Sequence, residues 1–471
     1  MRRVRAGGVG RLLVSIAMLL PAVGHAQQSL APDFDALGFE AAERLAEYIR
    51  IRTVNPPGNE TAGAKWLQQV LAREGVASQI FESAPGRGNL YARLKGNGSK
   101  RPIILLSHID VVPATDSAWQ VGPWSGVTRD GAVWGRGALD MKGTAIAQLM
   151  TVIALKRRGV PLSRDVILLA NADEETNSSG AQWFTREKRS LLGDAEFLLN
   201  EGGHNRLSAE GRTEYYGVGV TEKVSYWLRI TARGSAGHGS IPRPDNAAAR
   251  IARALGRIAA YESPIKLTLP AERYFMELAT RERDARHRGW LADPATALRH
   301  PAAREWFTSN LYYNAILRNT ISITVLRGSD KTNIIPPEAS AELDVRLLPG
   351  ERPADFIREL ARVIGDSAVE ITPLRPEREA TTSPLDGPLM ESIREAVRAM
   401  EPGALITTPM LAGFTDSYYY RSIGIGAYGL SPFRLSEDDS RTVHGHDERV
   451  TVENLRFGVE FFYRIVERVA R

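Results

Sequence analysis

The stretch "LLANADEETNSSGA", residues 168–181, ends an apolar run on three consecutive carboxylates, Asp173, Glu174 and Glu175. The run suits a buried strand, and a buried strand that finishes on so much negative charge needs something positive to meet it. Other acids and imidazoles sit in similar places. His108 ends "PIILLSHID", with Asp110 two residues on. Asp140 lies in "GRGALDMKG", a glycine-rich loop opening onto a helix; Glu201 follows "AEFLLNEGG"; His444 lies in "VHGHDERV", just before the last helix. Any one of these could be a helix cap, a surface group or a satisfied core histidine. Gathered at one edge of a sheet, the carboxylates would repel one another strongly unless cations neutralised them.

The chain has no cysteine, which excludes thiolate ligands and disulfides and leaves imidazole nitrogen and carboxylate oxygen as metal donors. Two histidines and three carboxylates suit two zinc ions with one carboxylate bridging them; manganese or cobalt also fit such sites. Neighbours at a strand end point apart, so one of Glu174 and Glu175 can ligate while the other holds a proton. Residues 108 and 110 face the same side of an extended strand, so Asp110 is expected to stand behind His108, fix its tautomer and raise its basicity. His204, His287 and His300 have no partner in their pattern. The chain contains no G-x-S-x-G elbow, HExxH or P-loop sequence, which argues against serine hydrolysis and phosphate chemistry.

The elements that must position these residues alternate between strand and helix. "AAERLAEYIRI" and "AGAKWLQQVLAREG" have helical apolar spacing, while "GNLYARLKG", "PIILLSHID" and "RDVILLANAD" read as short buried strands. The expected fold class is α/β, a mixed sheet flanked by helices, and ligands in such sheets bind at the carboxyl ends of the strands. Near Thr221 the texture changes to an α+β sandwich: "KVSYWLRITARG", the helix "NAAARIARALGRIAAYE", the strands "NTISITVLRG" and "ASAELDVRLLPG", then the helix "ADFIRELARVIG". The first texture returns after Pro373. The expected organisation is therefore a catalytic domain in two parts, 27–221 and 373–471, with a domain inserted at 222–372 that itself carries an extra helical insertion over about 264–318. With 471 residues and 43% hydrophobic content, the chain can support more than one core.

Residues 1–26 read as an export signal: four arginines, the apolar stretch 12–23 and small residues before a cleavage point after Ala26. The apolar stretch is shorter than a membrane span, so the expected product is periplasmic or secreted, with no stable membrane anchor. Removing the four signal arginines lowers the formal charge from +5 to +1. The remaining basic clusters are interleaved with acids and carry no aromatic ladder, so no nucleic-acid partner is expected.

Taken in order, "SHIDVVPA", "GRGALDMKG", "ADEETNSSGA", "NEGG", "GSAGHGSIP", "NIIP", "DVR", "GFTDS" and "HGHDE" resemble the co-catalytic di-zinc hydrolases that include aminoacylase, carnosinase, glutamate carboxypeptidase and succinyl-diaminopimelate desuccinylase. The resemblance covers nearly the whole mature chain. It implies that His108 and Glu201 bind one zinc, that Glu175 and His444 bind the other, and that Asp140 bridges them, with a cis bond from Asp140 to Met141. His444 is preferred over His446 because "HxxDE" matches the family spacing. Glu174 falls on the general base, and His238 on the histidine that stabilises the oxyanion, which in dimeric members comes from the partner subunit. Asn319 and Arg346 fall on residues that hold a substrate carboxylate, and Gly413 on a loop facing the substrate. The resemblance thus implies a zinc-dependent hydrolase of amide or peptide bonds in small substrates with a free carboxylate: a carboxypeptidase, a dipeptidase or an N-acyl-amino-acid amidohydrolase. The inserted domain would act as a lid and as a surface for homodimerisation. Two other classes share parts of the pattern, a periplasmic solute-binding protein and a catalytically silent metal-binding homologue. Metal content separates the first, and turnover of acyl amino acids or dipeptides the second.

Overall fold

Apolar runs short enough to be strands form them, and their burial follows the two-residue period. The computed structural model describes residues 1–4, 7–8, 31–208 and 210–471; the apolar stretch of the expected export signal and its cleavage point lie outside the described residues. Ile103–His108 and Val166–Asn171 are buried at every position. Ile103, Leu105, Val166 and Leu168 enter one apolar cluster, and Ile104, Leu106, Ile167 and Leu169 enter another. Such continuous apolar strands belong to a sheet covered on both faces.

That sheet has six strands, in the order Ser78–Glu82, Gly88–Leu94, Val166–Asn171, Ile103–His108, Phe197–Asn200 and Gly426–Gly429. The first two pairings are antiparallel and the other three parallel, so the expected mixed sheet is what forms. One face is covered by Phe34–Arg50, Lys142–Arg157 and Val452–Ala470, which pack on one another. The other is covered by Ser179–Glu187 and Ser417–Ser422 through Phe184, Tyr419 and Tyr420. Register sets the site: His108 stands beside Asn171, and Ile103 pairs with Phe197. Three of the four parallel strands, those ending at His108, Asn171 and Asn200, therefore run out together, with Glu174, Glu175 and Glu201 in the segments just beyond.

A second, antiparallel sheet is built from Val224–Ser225, Leu228–Arg233, Thr320–Arg327, Glu338–Leu347 and Val369–Pro373. The helices Ala247–Ala259 and Pro353–Ile364 pack against it through Ile251, Ala254, Phe356 and Leu360. This is the α+β sandwich expected from the sequence, with one closing strand, Val369–Pro373, beyond the β-α-β-β-α pattern. "KVSYWLRITARG" is not one continuous strand. It breaks at Tyr226–Trp227, where the Trp227 ring turns to stack under the Arg375 guanidinium at 3.7 Å. Residues 264–318 fold into short helices around their own apolar cluster of Tyr274, Phe275, Leu291 and Phe307.

One short pairing matters more than its size. Arg449–Thr451 lies antiparallel to Ala132–Trp134, which brings the segment carrying His444 alongside the loop that carries Asp140. Among the described residues, no helix is long and apolar enough to cross a membrane.

Because the second sheet has its own core, Phe356→Ala is expected to remove about 3–5 kcal/mol of stability from that layer. Denaturant unfolding followed by fluorescence and by native-state hydrogen exchange should show the loss concentrated in residues 224–373.

Candidate metal centre

Two histidines and three carboxylates from five separate segments meet at the end of the six-stranded sheet. His108 Nε2 lies 3.1 Å from Asp140 Oδ1 and 3.6 Å from Glu201 Oε1. His444 Nε2 lies 3.1 Å from Asp140 Oδ2 and 3.2 Å from Glu175 Oε2. The result is two triads, His108–Asp140–Glu201 and Asp140–Glu175–His444, in each of which the donor atoms lie within 4.8 Å of one another. Asp140 belongs to both and turns one oxygen to each histidine, as a carboxylate bridging two cations does. The donor set is nitrogen and oxygen only, which fits zinc and also manganese or cobalt. The buried Oε1 of Glu175 has no hydrogen-bond partner, an unmet acceptor of the kind a cation satisfies.

The loop bearing Asp140 is held by a buried carboxylate. Glu448, with no exposed surface, accepts from the backbone N–H groups of Gly137, Leu139 and Asp140 and pairs with Arg136 at 2.7 Å. Gly137 has φ +87°, and a Cβ there would come within 2.6 Å of Val111, so the turn requires glycine. The Asp140–Met141 peptide bond is cis. His444 and Asp173 adopt left-handed backbone conformations, φ +58° and +69°, which non-glycine residues take chiefly where surrounding structure enforces them.

Asp110 does stand behind His108 and raises its basicity, as expected, but its main chain rather than its carboxylate holds the ring nitrogen. The His108 Nδ1–H donates to the main-chain carbonyl of Asp110 at 2.9 Å, while the carboxylate is 3.6 Å away. That carboxylate instead accepts the backbone N–H groups of Glu174 and Glu175, each at 3.1 Å, and the Asn55 amide at 2.8 Å. The strand ends at His108, and the chain beyond it bonds to other segments, Ile109 N–H to the Asn171 carbonyl and Val111 N–H to the Thr53 carbonyl. The backbone carbonyl fixes the tautomer, and the carboxylate shapes the 174–175 loop.

The electrostatics follow from burying so many like charges. Burial, then the Glu201 charge, pushes the Glu174 carboxyl well above the usual carboxylate range. Burial, then Asp140, raises Glu201 to about 7. Burial opposes protonation of His108, but the Glu201 charge and hydrogen bonds with Asp110, Asp140 and Glu201 outweigh it and raise the imidazole well above its ordinary value. Hydrogen bonds with Asp140 and Glu175 raise His444 to about 10. Protons here stand in for cations: the imidazoles take up charge because the carboxylates demand it.

The other expected site residues are not members of the two triads. His238 is exposed and its ring nitrogen Nδ1 pairs with the Ser240 hydroxyl at 2.7 Å. The Arg346 fork is occupied by Asp344 of its own strand, at 2.7 and 3.0 Å. Asn319 accepts from the Leu348 N–H and donates to Glu351, so both residues are engaged within the second sheet's layer. Gly413 lies in the partly exposed loop before Ser417–Ser422; that loop is anchored by Glu222, which accepts from Thr415 and pairs with Arg421 at 2.5 Å. Three contributors escaped the sequence reading. Glu448 sits inside the quoted "HGHDE", and its place next to a candidate ligand was the available signal. Asp416 sits inside "GFTDS"; burial, then the Asp110 charge, raises it to about 7 against the pull of His108. Asn55, which links Asp110 to Asp173, carries no sequence signal.

Residues 104–468 match the family model described as Peptidase family M20/M25/M40. The human protein named N-fatty-acyl-amino acid synthase/hydrolase PM20D1 is 27% identical over 440 residues, covering 90% of this chain and 87% of that protein. Aminoacylase-1 of Sus scrofa is 25% identical over 431 residues, covering 90% and 94%. Among solved structures, the M20 family metallo-carboxypeptidase Sso-CP2 from Sulfolobus solfataricus superimposes with a TM-score of 0.70 at 18% identity, covering 92% of this chain and 99% of that one.

Glu448→Ala would leave Arg136 buried without its partner and release three backbone N–H groups of the Asp140 loop. A stability loss of about 3–5 kcal/mol is expected in denaturant unfolding, together with weaker metal retention in elemental analysis. A second expectation concerns pH. Glu174 and Glu201 have folded values above the unfolded one, so the folded, metal-free protein binds more protons, and stability falls as pH rises from about 4.5 to 7. The raised histidines act in the same direction above about 6.5. Thermal melts of chelator-treated protein should therefore drop between pH 5 and 7, and metal-loaded protein should not follow, because cation affinity rises as protons leave.

Proposed function

The chain belongs to peptidase family M20/M25/M40, hydrolases of amide and peptide bonds, and we propose that it is a di-zinc hydrolase of small amides ending in a free carboxylate, with N-acyl amino acids as the favoured class. The observation that carries this reading is the pair of three-residue clusters sharing Asp140. The substrate class is supported by the relatives named for N-acyl amino acid chemistry, which align with nine-tenths of the chain.

In this reading His108 and Glu201 hold one cation, Glu175 and His444 the other, and Asp140 both. Cations held there would supply Lewis acidity and a more acidic water. Glu174 takes the proton of the attacking water and returns it to the departing nitrogen. Its raised proton affinity suits a group that must accept a proton and hold it until the nitrogen departs. Asp110 keeps the Glu174 and Glu175 amides fixed, so that the base and its neighbouring ligand hold their separate directions. Residues 222–372 serve as a lid. His238 then meets the oxyanion either by closure of that layer or from a second copy of the chain, and Arg346 accepts the substrate carboxylate by exchanging it for Asp344. Export through residues 1–26 belongs to the same reading.

Glu174→Gln keeps the volume and removes the base. It is expected to retain both metals and near-unchanged substrate binding while kcat falls roughly 10²- to 10⁴-fold; full activity with N-acyl amino acids in that variant would remove Glu174 from the role.

A further inference from the structure

The chain passes between its two layers twice, and the two crossings lie side by side. On the side of the six-stranded sheet, the Ser383 N–H donates to the Val220 carbonyl at 2.8 Å and Thr221 bridges to Thr382. On the side of the inserted layer, the Leu374 N–H donates to the Trp227 carbonyl at 2.9 Å, just past the Leu228–Pro373 pair that ends the strand register. The short segments between these two clasps are where one layer can turn against the other. Each crossing also reaches a loop of the site. Glu222 accepts from the N–H and hydroxyl of Thr415 and pairs with Arg421, which fixes the loop carrying Gly413. Arg375 directly follows the last strand of the inserted layer, yet its Nη2 donates at 2.8 Å to the carbonyl of Thr176, the residue after Glu175. The same guanidinium lies over the Trp227 ring at 3.7 Å. A planar guanidinium can stack on a ring and donate in its own plane at once, which an ammonium cannot. The Trp227 indole N–H has no hydrogen-bond partner, so no side-chain hydrogen bond holds the ring in this place.

We infer that Arg375, stacked on Trp227, is a positioning residue that ties the setting of the inserted layer to the aim of the Glu174 carboxylate. The inference rests on the hydrolase reading above and adds to it a residue that acts through the Thr176 carbonyl. The loop bearing the base is pinned from two sides: Asp110 accepts the Glu174 and Glu175 amides, and Arg375 holds the carbonyl that follows them. A turn of the inserted layer carries the guanidinium with it, so either the bond to Thr176 breaks or the loop shifts. The base therefore keeps its aim in one setting of the layer and loses this support in others. The location is a costly one for a cation, because burial, then the neighbouring Arg378, disfavours the charge of Arg375.

The test measures kcat and KM of zinc-loaded protein with a panel of N-acyl amino acids and dipeptides, together with zinc content and native-state hydrogen exchange. Arg375→Ala and Trp227→Ala should each keep the wild-type zinc content and lower kcat about 10- to 100-fold, the cost of a slightly misplaced group, with KM changed less. The double variant should be no worse than either single one, since both remove the same device. Arg375→Lys keeps the charge without the stack and should fall with them, whereas Trp227→Phe keeps a ring face and should stay near wild type. Exchange gives a readout independent of turnover: amides of residues 174–178 should exchange about 10-fold faster in Arg375→Ala and Trp227→Ala, while residues 413–417, held by Glu222, stay unchanged. Wild-type kcat in Arg375→Ala, an effect confined to KM, a silent Trp227→Ala, or unchanged exchange at 174–178 would each overturn the inference and leave the hydrolase reading intact. Wild-type protein that turns over no member of the panel, with exchange behaving as stated, would instead sink the hydrolase reading and uphold the tether.

Discussion

Repulsion among carboxylates at one edge of a sheet is the constraint that the rest of the molecule serves. Asp140, Glu175 and Glu201 converge with Glu174 beside them, in surroundings where burial alone raises the cost of each charge. Without cations the cluster favours protons on Glu174, Glu175, Glu201 and both imidazoles, while the two histidines hold Asp140 in its charged form. Two divalent cations would turn the same groups into a satisfied ligand set and would give the unpartnered oxygen of Glu175 a neighbour. The fold therefore stores an electrostatic demand that bound metal meets.

Holding such a cluster together takes a rigid frame, and the frame is made of buried hydrogen bonds to backbone. Glu448 gathers three N–H groups of the Asp140 loop, and Asp110 gathers those of Glu174 and Glu175. In both cases a carboxylate behind the centre fixes the main chain in front of it, so the ligand side chains leave from defined positions. The antiparallel pairing of Arg449–Thr451 with Ala132–Trp134 does the same at longer range for His444.

Much of this was legible in the sequence because it depends on local pattern. Apolar runs of strand length ended on His108, Asn171 and Asn200, and parallel register then had to bring their ends together. The inserted sandwich was legible from the switch to period-two alternation near Thr221. What escaped depended on contacts between distant segments. Nothing local marks Asn55 as the amide between Asp110 and Asp173, or the Asp110 carboxylate as the acceptor of the Glu174 and Glu175 amides. Arg346 kept its expected place in the strand, yet a neighbour two residues away, Asp344, occupies its fork. Strand periodicity puts the two on the same face, so this pairing was readable and competes directly with a substrate carboxylate.

The central claim, that this edge of the sheet holds two cations joined by one carboxylate, is tested most directly by X-ray absorption on zinc-loaded protein with elemental analysis of the same sample. The account predicts two zinc ions per chain and metal–metal scattering at about 3.5–4 Å, with at least one ion and the scattering lost in Asp140→Ala. A single bound ion, or two ions with no metal–metal scattering and full retention in Asp140→Ala, would contradict it.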